Sequence, residues 1–537
     1  MSTNDSGYDY IIVGAGSAGC VLAARLSEDP GHHILLLEAG PPDEAPEIRM
    51  PAAAPALWQG PLSRNDVTVP QRHAGNRTVF LSGGRTLGGG STINGMVYIR
   101  GNRADYDAWR DLHGCAGWGY DDLLPYFRRA EDQQRGPSAY HGTGGPLRVA
   151  DLNHRHQLSQ AWLAAAVAAG LPANDDFNAA VQDGVGYYQA TQRDGRRWSA
   201  ADAYLRPAAR RPNLTVRTGS PATRILCERG RATGVRYVHQ GTTYEARARR
   251  EVLLCGGAIA TPHLLLLSGI GPAGHLRELG VQITADSPRV GTGLQDHPQC
   301  LLEWHTPGVP SITEHATPEN RARWQDSGQG PMSSCGAEAG AFVRTRPGLT
   351  APDLQIGAHP GPIPGEGSAN RRGLAILVSA LDIHSRGRIT LRSTDPADPP
   401  LIDPAYLSAE TDLDILVAGA HLARDITACS PLAGLVTGEH QPGEHVDGPA
   451  LREWIRGHVG TMFHPTSSCA MGADERAVCD PELRVRGLDG LRVVDASVMP
   501  AVPRGNTNAP TIAIAERAAD LVRGVAVLSS RDPAQRT

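Results

Sequence analysis

"YDYIIVGAGSAGCVLAARLSEDPGHHILLLEAG", residues 8 to 40, carries the reading that decides the fold. Tyr8 to Val13 is a short apolar run suited to a buried strand, and Gly14-x-Gly16-x-x-Gly19 makes a turn. Val21, Leu22 and Leu26 give the next segment a helical apolar stripe, and a second strand, Ile34 to Leu37, ends at Glu38. Each part has a physical task. The glycines permit a tight turn and close approach to a pyrophosphate, the helix N-terminus offers it unpaired N–H groups, and Glu38 can accept hydrogen bonds from ribose hydroxyls. A glycine fingerprint alone is weak, but in the order strand, turn, helix, strand, acid it predicts a dinucleotide-binding unit. Glu38 would repel a 2'-phosphate, which argues against NADP and leaves NAD and FAD open.

The remaining bulk properties narrow the class. At 537 residues the chain exceeds what one hydrophobic core usually supports, so two regions sharing a cleft are expected. Apolar residues at 40% and charged residues at 20% fit an ordinary globular protein. The net charge of -5 comes from intermixed acids and bases, which gives nucleic-acid binding no electrostatic footprint. Nine scattered cysteines include no Cys-x-x-Cys pair, so they read as reduced thiols in a cytosol, with Cys20, Cys227 and Cys255 as core fillers. No run is long and apolar enough to span a membrane, and no leader pattern precedes the first strand; a cytoplasmic location is the expectation.

A second glycine-rich stretch, "GGRTLGGGSTINGMVYIRG" (83 to 101), and "GGAIATPHLLLLSGIG" (256 to 271) resemble the two signature sequences of the glucose-methanol-choline (GMC) family of FAD-dependent oxidoreductases. "VGTGLQDHP" (290 to 298), "FHPTSSCAMG" (463 to 472) and "VVDASVMPAVPRGNTNAPTIAIAERAADLV" (493 to 522) look like that family too, in its order. The resemblance covers nearly the whole chain. It implies an α/β (α+β) fold: a Rossmann-like FAD-binding domain from 1–155, 205–300 and 456–528, and a substrate domain from 156–204 and 301–455 on a large antiparallel sheet with helices. Residues 529–537 read as a flexible tail.

By the same resemblance, FAD contacts fall to Gly14, Gly16, Ser17, Ala18, Glu38, Ala39, Arg85, Leu87, Gly88, Gly89, Ser91, Asn94, Gly95, Val97, Ala222, Asp495, Ala496, Asn506 and Thr507. For Asp495 a strand-end cap is a rival reading. Some members tether the flavin through a histidine just before the Asn of "TIN"; here Ile93 stands there, which implies non-covalent FAD. "ATPHLLLLSGIG" reads as a helix capped by Thr261 with Pro262 at its first position and its leucines in the core. "NAPTIAIAERAADLVRG" reads as a helix capped by Asn508 and ended by Gly524, its dipole and the Thr507 N–H favouring negative charge on the flavin.

His464 stands isolated in "GTMFHPTSSCAMG" (460 to 472), without partners at metal-ligand spacing; no metal site is expected. A buried structural histidine is the ordinary reading for such a residue. The family motif changes that, because it aligns His464 with a catalytic histidine and Asn506 with its partner, Asn508 being close enough to leave a choice. Alcohol oxidation needs a base with pKa near working pH, which suits His464, and a donor for the developing alkoxide, which suits an amide. Choline-oxidising relatives hold the trimethylammonium with a carboxylate two residues past the His of "HP"; Gln299 occupies that place, so a neutral aliphatic, aromatic or sugar-like primary alcohol is expected in a pocket that includes Gln299, Phe463 and His464. Trp58, Trp304 and Trp324 are further candidates to line it. Residues 306–334 could form a mobile flap, with His315 solvated. Oxygen or another electron acceptor would complete the cycle, and which of the two is left open, as is the oligomeric state. Lyases and photodecarboxylases on the same fold, and a choline-type dehydrogenase, are the alternatives. Hydrolysis is disfavoured because no Gly-x-Ser-x-Gly elbow is present.

Overall fold

The structure, a computed structural model, describes residues 3–363, 368 and 371–528. The segment 529–537, read as a tail, lies outside the described residues. The apolar run at the amino terminus forms the strand Thr3–Val13 at the centre of a seven-stranded sheet. Ile34–Leu37 lies parallel on one side and Thr242–Leu254 on the other; Leu214–Arg217 and Leu491–Val493 extend the parallel part. Two antiparallel strands, Arg231–His239 and Ala222–Glu228, complete it. Ile11, Ile12, Leu35 and Leu36 are fully buried, which is why these strands read as unbroken apolar runs.

Register sets the position of the crevice. Val13 pairs with Leu37 and Leu254, and Leu254 pairs with Val493, so four parallel strands end level with one another. The turns after them, at Gly14, Glu38, Cys255 and Asp495, open on one crevice, the place where parallel sheets bind ligands.

The second large sheet is antiparallel, in the order Glu439–Gln441, Pro298–His305, Gly373–Ala380, Leu354–His359, Ala339–Val343, Gly184–Tyr187. Alternation splits its two faces. Cys300, Leu302, Ile356, Ala358, Ile376 and Val378 pack into a core with Leu413, Leu416 and Ala420 of the helix Glu410–Thr427, and the residues between them face the crevice. The strand Gly387–Thr390 lies apart, in a three-stranded sheet with Thr292–Leu294 and Leu401–Asp403. No helix among the described residues is long and apolar enough to cross a membrane.

Several local expectations shift. The helix predicted from Thr261 begins at Gly257, and Pro262 lies inside it. It is tolerated because the Ala258 carbonyl that Pro262 cannot serve accepts from Ser468 Oγ instead. Thr261 Oγ1 donates to Asp495 and accepts from Gly256 N. In 306–334 a short 3-10 turn, Ile312–His315, precedes the helix Pro318–Ser327, capped by Thr317 and ended by left-handed Gly328. His315 is half-buried rather than solvated, its ring 5.2 Å from that of His156. Cys20 and Cys255 are buried as expected; Cys227 is only partly so.

The last long helix, Asn508–Arg523, is clamped to the helix Ser17–Leu26 through Glu516, which is fully buried. Its carboxylate accepts from Arg25 Nη2 at 2.9 Å, Arg129 Nε at 2.8 Å and the Tyr204 hydroxyl at 2.8 Å. Glu516→Ala would leave the buried Tyr204 hydroxyl without its acceptor and an internal face with two guanidinium groups, Arg25 and Arg129, held only by Glu28 and by Asp520 and the residue 516 carbonyl. Loss of about 3–5 kcal/mol is expected, read as a lower midpoint in denaturant at constant slope.

Candidate active site

The crevice holds one large cavity of about 2260 Å³, more than one drug-sized ligand fills, which leaves room for a cofactor and a substrate together. Its floor is the glycine turn. Gly14 has φ of +100°, and a Cβ on Gly19 would fall 1.9 Å from the Gly14 carbonyl oxygen, so neither position accepts a side chain. The helix Ser17–Leu26 has no side-chain cap at Gly16, and Gly16, Ser17 and Ala18 line the cavity. Its first N–H groups are therefore open to an anion. Glu38 is buried beside them, accepting from Ala15 N at 2.9 Å and Gly40 N at 2.8 Å, and its burial pushes its pKa up. This cradle fits the pyrophosphate and ribose of a dinucleotide.

The second glycine stretch closes on the first. Gly88 N donates to Ala15 O at 2.7 Å, and a Cβ on Gly89 would meet Gly16 Cα at 2.7 Å. Ala39, Arg85, Gly89, Ser91, Asn94, Gly95, Val97, Ala222, Asp495, Ala496, Asn506 and Thr507 all line the cavity. Leu87 and Gly88 do not: Leu87 packs against the sheet's core and Gly88 is turned toward Ala15 by that backbone bond. Asp495 is a cap as well as a lining residue, receiving Ser497 N, Gly257 N and Thr261 Oγ1. Asn508 does not cap its helix, which starts from Thr507; its Oδ1 accepts from Ser17 Oγ, joining the two helix N-termini that face the cavity.

Two late loops meet at the other end. Asn506 Nδ2 lies 3.3 Å from His464 Nε2, whereas Asn508 is tied to Ser17. His464 Nδ1 lies 3.0 Å from His297 Nδ1, and the rings stand edge to face. Asp296 binds the arrangement: its Oδ1 accepts from the backbone N–H groups of His297 and His464, and its Oδ2 from Thr461 and Tyr406 hydroxyls. Burial pushes the Asp296 carboxyl up to about 6 and His464 down to about 4, and His297 falls well below the usual imidazole range for the same reason. The expectation of a histidine near working pH is not met; desolvation by the walls exceeds any stabilisation of the imidazolium, because no carboxylate touches the ring. The described residues contain no cluster of metal-ligating side chains.

Gln299 and Phe463 line the cavity, with Trp58 5.8 Å from Phe463, ring to ring. Trp304 and Trp324 do not; Trp304 packs in the second core, and the buried Trp324 donates its indole N–H to Gly195 O. Leu264 and Leu267, expected in the core only, reach the cavity too. Asp296 and His297 were within reach of sequence, since "QDHP" contains them. Tyr188, Gln355 and Ser379, which also line the cavity, carry no motif and are brought there by strand register alone.

Known proteins resemble the chain over nearly its whole length. The amino-terminal GMC oxidoreductase family model matches residues 8–299 and the carboxy-terminal one 384–515. "Choline dehydrogenase, mitochondrial" of Homo sapiens is 40% identical over 98% of this chain and 91% of its own length. "Alcohol dehydrogenase [acceptor]" of Pseudomonas putida is 42% identical over 96% and 95%. Among solved structures, pyridoxine 4-oxidase from Mesorbium loti superimposes with a TM-score of 0.88 at 33% identity, covering 97% of this chain and 100% of that one. The chain belongs to the GMC oxidoreductases and takes FAD as its cofactor.

Proposed function

We propose that this protein oxidises a neutral primary alcohol to an aldehyde, with His464 as general base and Asn506 as donor to the alkoxide, around non-covalent FAD. The observation that carries the reading is the His464–Asn506 pair on the wall of the cavity that the two glycine stretches also line. FAD, when bound, supplies a two-electron acceptor for the hydride leaving the alcohol carbon. His464 is neutral at pH 7 because burial holds its pKa at about 4. With Nδ1 turned to His297 Nδ1, 3.0 Å away, Nε2 is the nitrogen on the cavity side, where a substrate hydroxyl would take the place of the Asn506 Nδ2 contact at 3.3 Å. As the hydroxyl proton moves to Nε2, the Asn506 amide donates to the oxygen left behind. Asp296 holds the His464 loop against His297 while this happens.

The relatives' names support alcohol oxidation, and the choline dehydrogenases keep a choline-type reaction as a second reading. Gln299 favours the neutral substrate. Its amide donates to Ser379 Oγ at 2.9 Å, so the strand next to the His464 loop presents an amide where a quaternary ammonium would need a carboxylate. Anaerobic addition of neutral alcohols to the holoenzyme should bleach the flavin, with peroxide release and reduction of an artificial acceptor measured in parallel. Bleaching by choline alone would establish the second reading; no bleaching by any alcohol would overturn both.

The pH profile follows from the burial of His464. The base works neutral, so kcat/KM should be level through neutral pH and fall as pH drops through about 4. An inflection near 6 would belong to Asp296 and should vanish in Asp296→Asn. An acid limb near the ordinary histidine value that survives Asp296→Asn would show that His464 is not desolvated.

A further inference from the structure

The face of the antiparallel sheet over the cavity is organised in rows. Gln299 pairs with Ser379 across one strand boundary, and Ser379 pairs with Gln355 across the next, so these three stand side by side on one face. The next row out is Leu301, Leu377 and Gly357. One row is polar and its neighbour is apolar, and all six positions line the cavity.

The polar row is built, and one end is incomplete. Gln299 donates to Ser379, and Gln355 Nε2 lies 3.0 Å from the Tyr188 hydroxyl. Tyr188 can lie across the sheet only because Gly340 has no side chain: a Cβ there would be 1.8 Å from its hydroxyl. Gln355 is 5% exposed, and its Oε1 has no partner among the described residues. An amide oxygen buried without a donor, on a residue that lines the cavity, is costly, and a ligand donor that reached it would satisfy it. Two strand spacings separate Gln355 from Gln299, roughly 9.5 Å, so this acceptor stands well away from the strand that borders the His464 loop.

We propose, resting on the alcohol-oxidation reading above, that Gln355 is a second anchor. The substrate would be a neutral alcohol carrying a further hydroxyl or N–H donor, which Gln355 Oε1 accepts while the reacting hydroxyl meets His464. The apolar row beside it would pack against the carbon skeleton between the two groups.

The test is a matched series of 1-alkanols and α,ω-diols from two to eight carbons, assayed with the holoenzyme. The diol-to-alkanol ratio of kcat/KM should peak at one chain length, at about tenfold above the factor of two that equal ends give. Gln355→Leu should flatten the peak, a ratio that cancels any general loss of activity. Gln355→Glu keeps the size and should move the preference toward ω-amino alcohols of the same length. If alkanols are oxidised but the ratio stays at two for every length, or if the peak survives Gln355→Leu, the anchor is wrong and the alcohol reading stands. Unchanged selectivity in Gln355→Glu also overturns it. If no alcohol is oxidised, both fall.

Discussion

Replacing His464 with alanine is expected to lower kcat/KM for the preferred alcohol by about a hundred- to ten-thousand-fold while FAD content stays normal. The size of the effect comes from position. His464 Nε2 is the group that the Asn506 amide and the cavity share, and its other nitrogen is taken by His297. None of the hydrogen bonds that tie Asp296 to its loop involves the ring, because Asp296 accepts from the His464 backbone N–H. The loop should therefore keep its shape when the imidazole is removed. Absorbance of bound flavin and steady-state rates on the same preparation check both halves. Normal FAD content with undiminished oxidation would remove His464 from the chemistry.

A second large effect is expected at Gly89, and it should appear in the cofactor rather than in the rate. Gly89 adopts φ of +52°, and a Cβ there would sit 2.7 Å from Gly16 Cα, backbone against backbone. Gly89→Val must push the two glycine stretches apart or abandon their conformation, at a cost of order 1–3 kcal/mol for the dihedral alone. At least tenfold weaker FAD retention is expected, measured by flavin released on gel filtration against a constant far-ultraviolet spectrum. Full retention would mean that the two stretches do not jointly form the cofactor site.

These two residues also mark how far the sequence could be read. The Gly14 to Glu38 cradle was legible because strand, turn, helix and acid lie within one local stretch, each with its own pattern. Gly89 needed the family resemblance, since its task is to meet Gly16 from a distant part of the chain. Leu87 and Gly88 fall outside the cavity lining although the motif contains them: a motif gives neighbours in sequence, while the Gly88 N–H is taken by the Ala15 carbonyl. The depressed basicity of His464 had no sequence signal, as it depends on walls supplied by several elements. The polar row of Gln299, Ser379 and Gln355 was hidden because cross-strand register, not spacing along the chain, assembles it.

The position of Leu491–Val493 beside Thr242–Leu254, and of Asn508 against Ser17, has a consequence for biogenesis. A nascent chain leaving the ribosome can lay down the Gly14 to Glu38 cradle early, but the strand Leu491–Val493, Asp495 and the helix Asn508–Arg523 follow only after the whole antiparallel sheet has been made. Flavin capture should therefore wait for that strand and helix, and a polypeptide cut anywhere before that helix should emerge colourless.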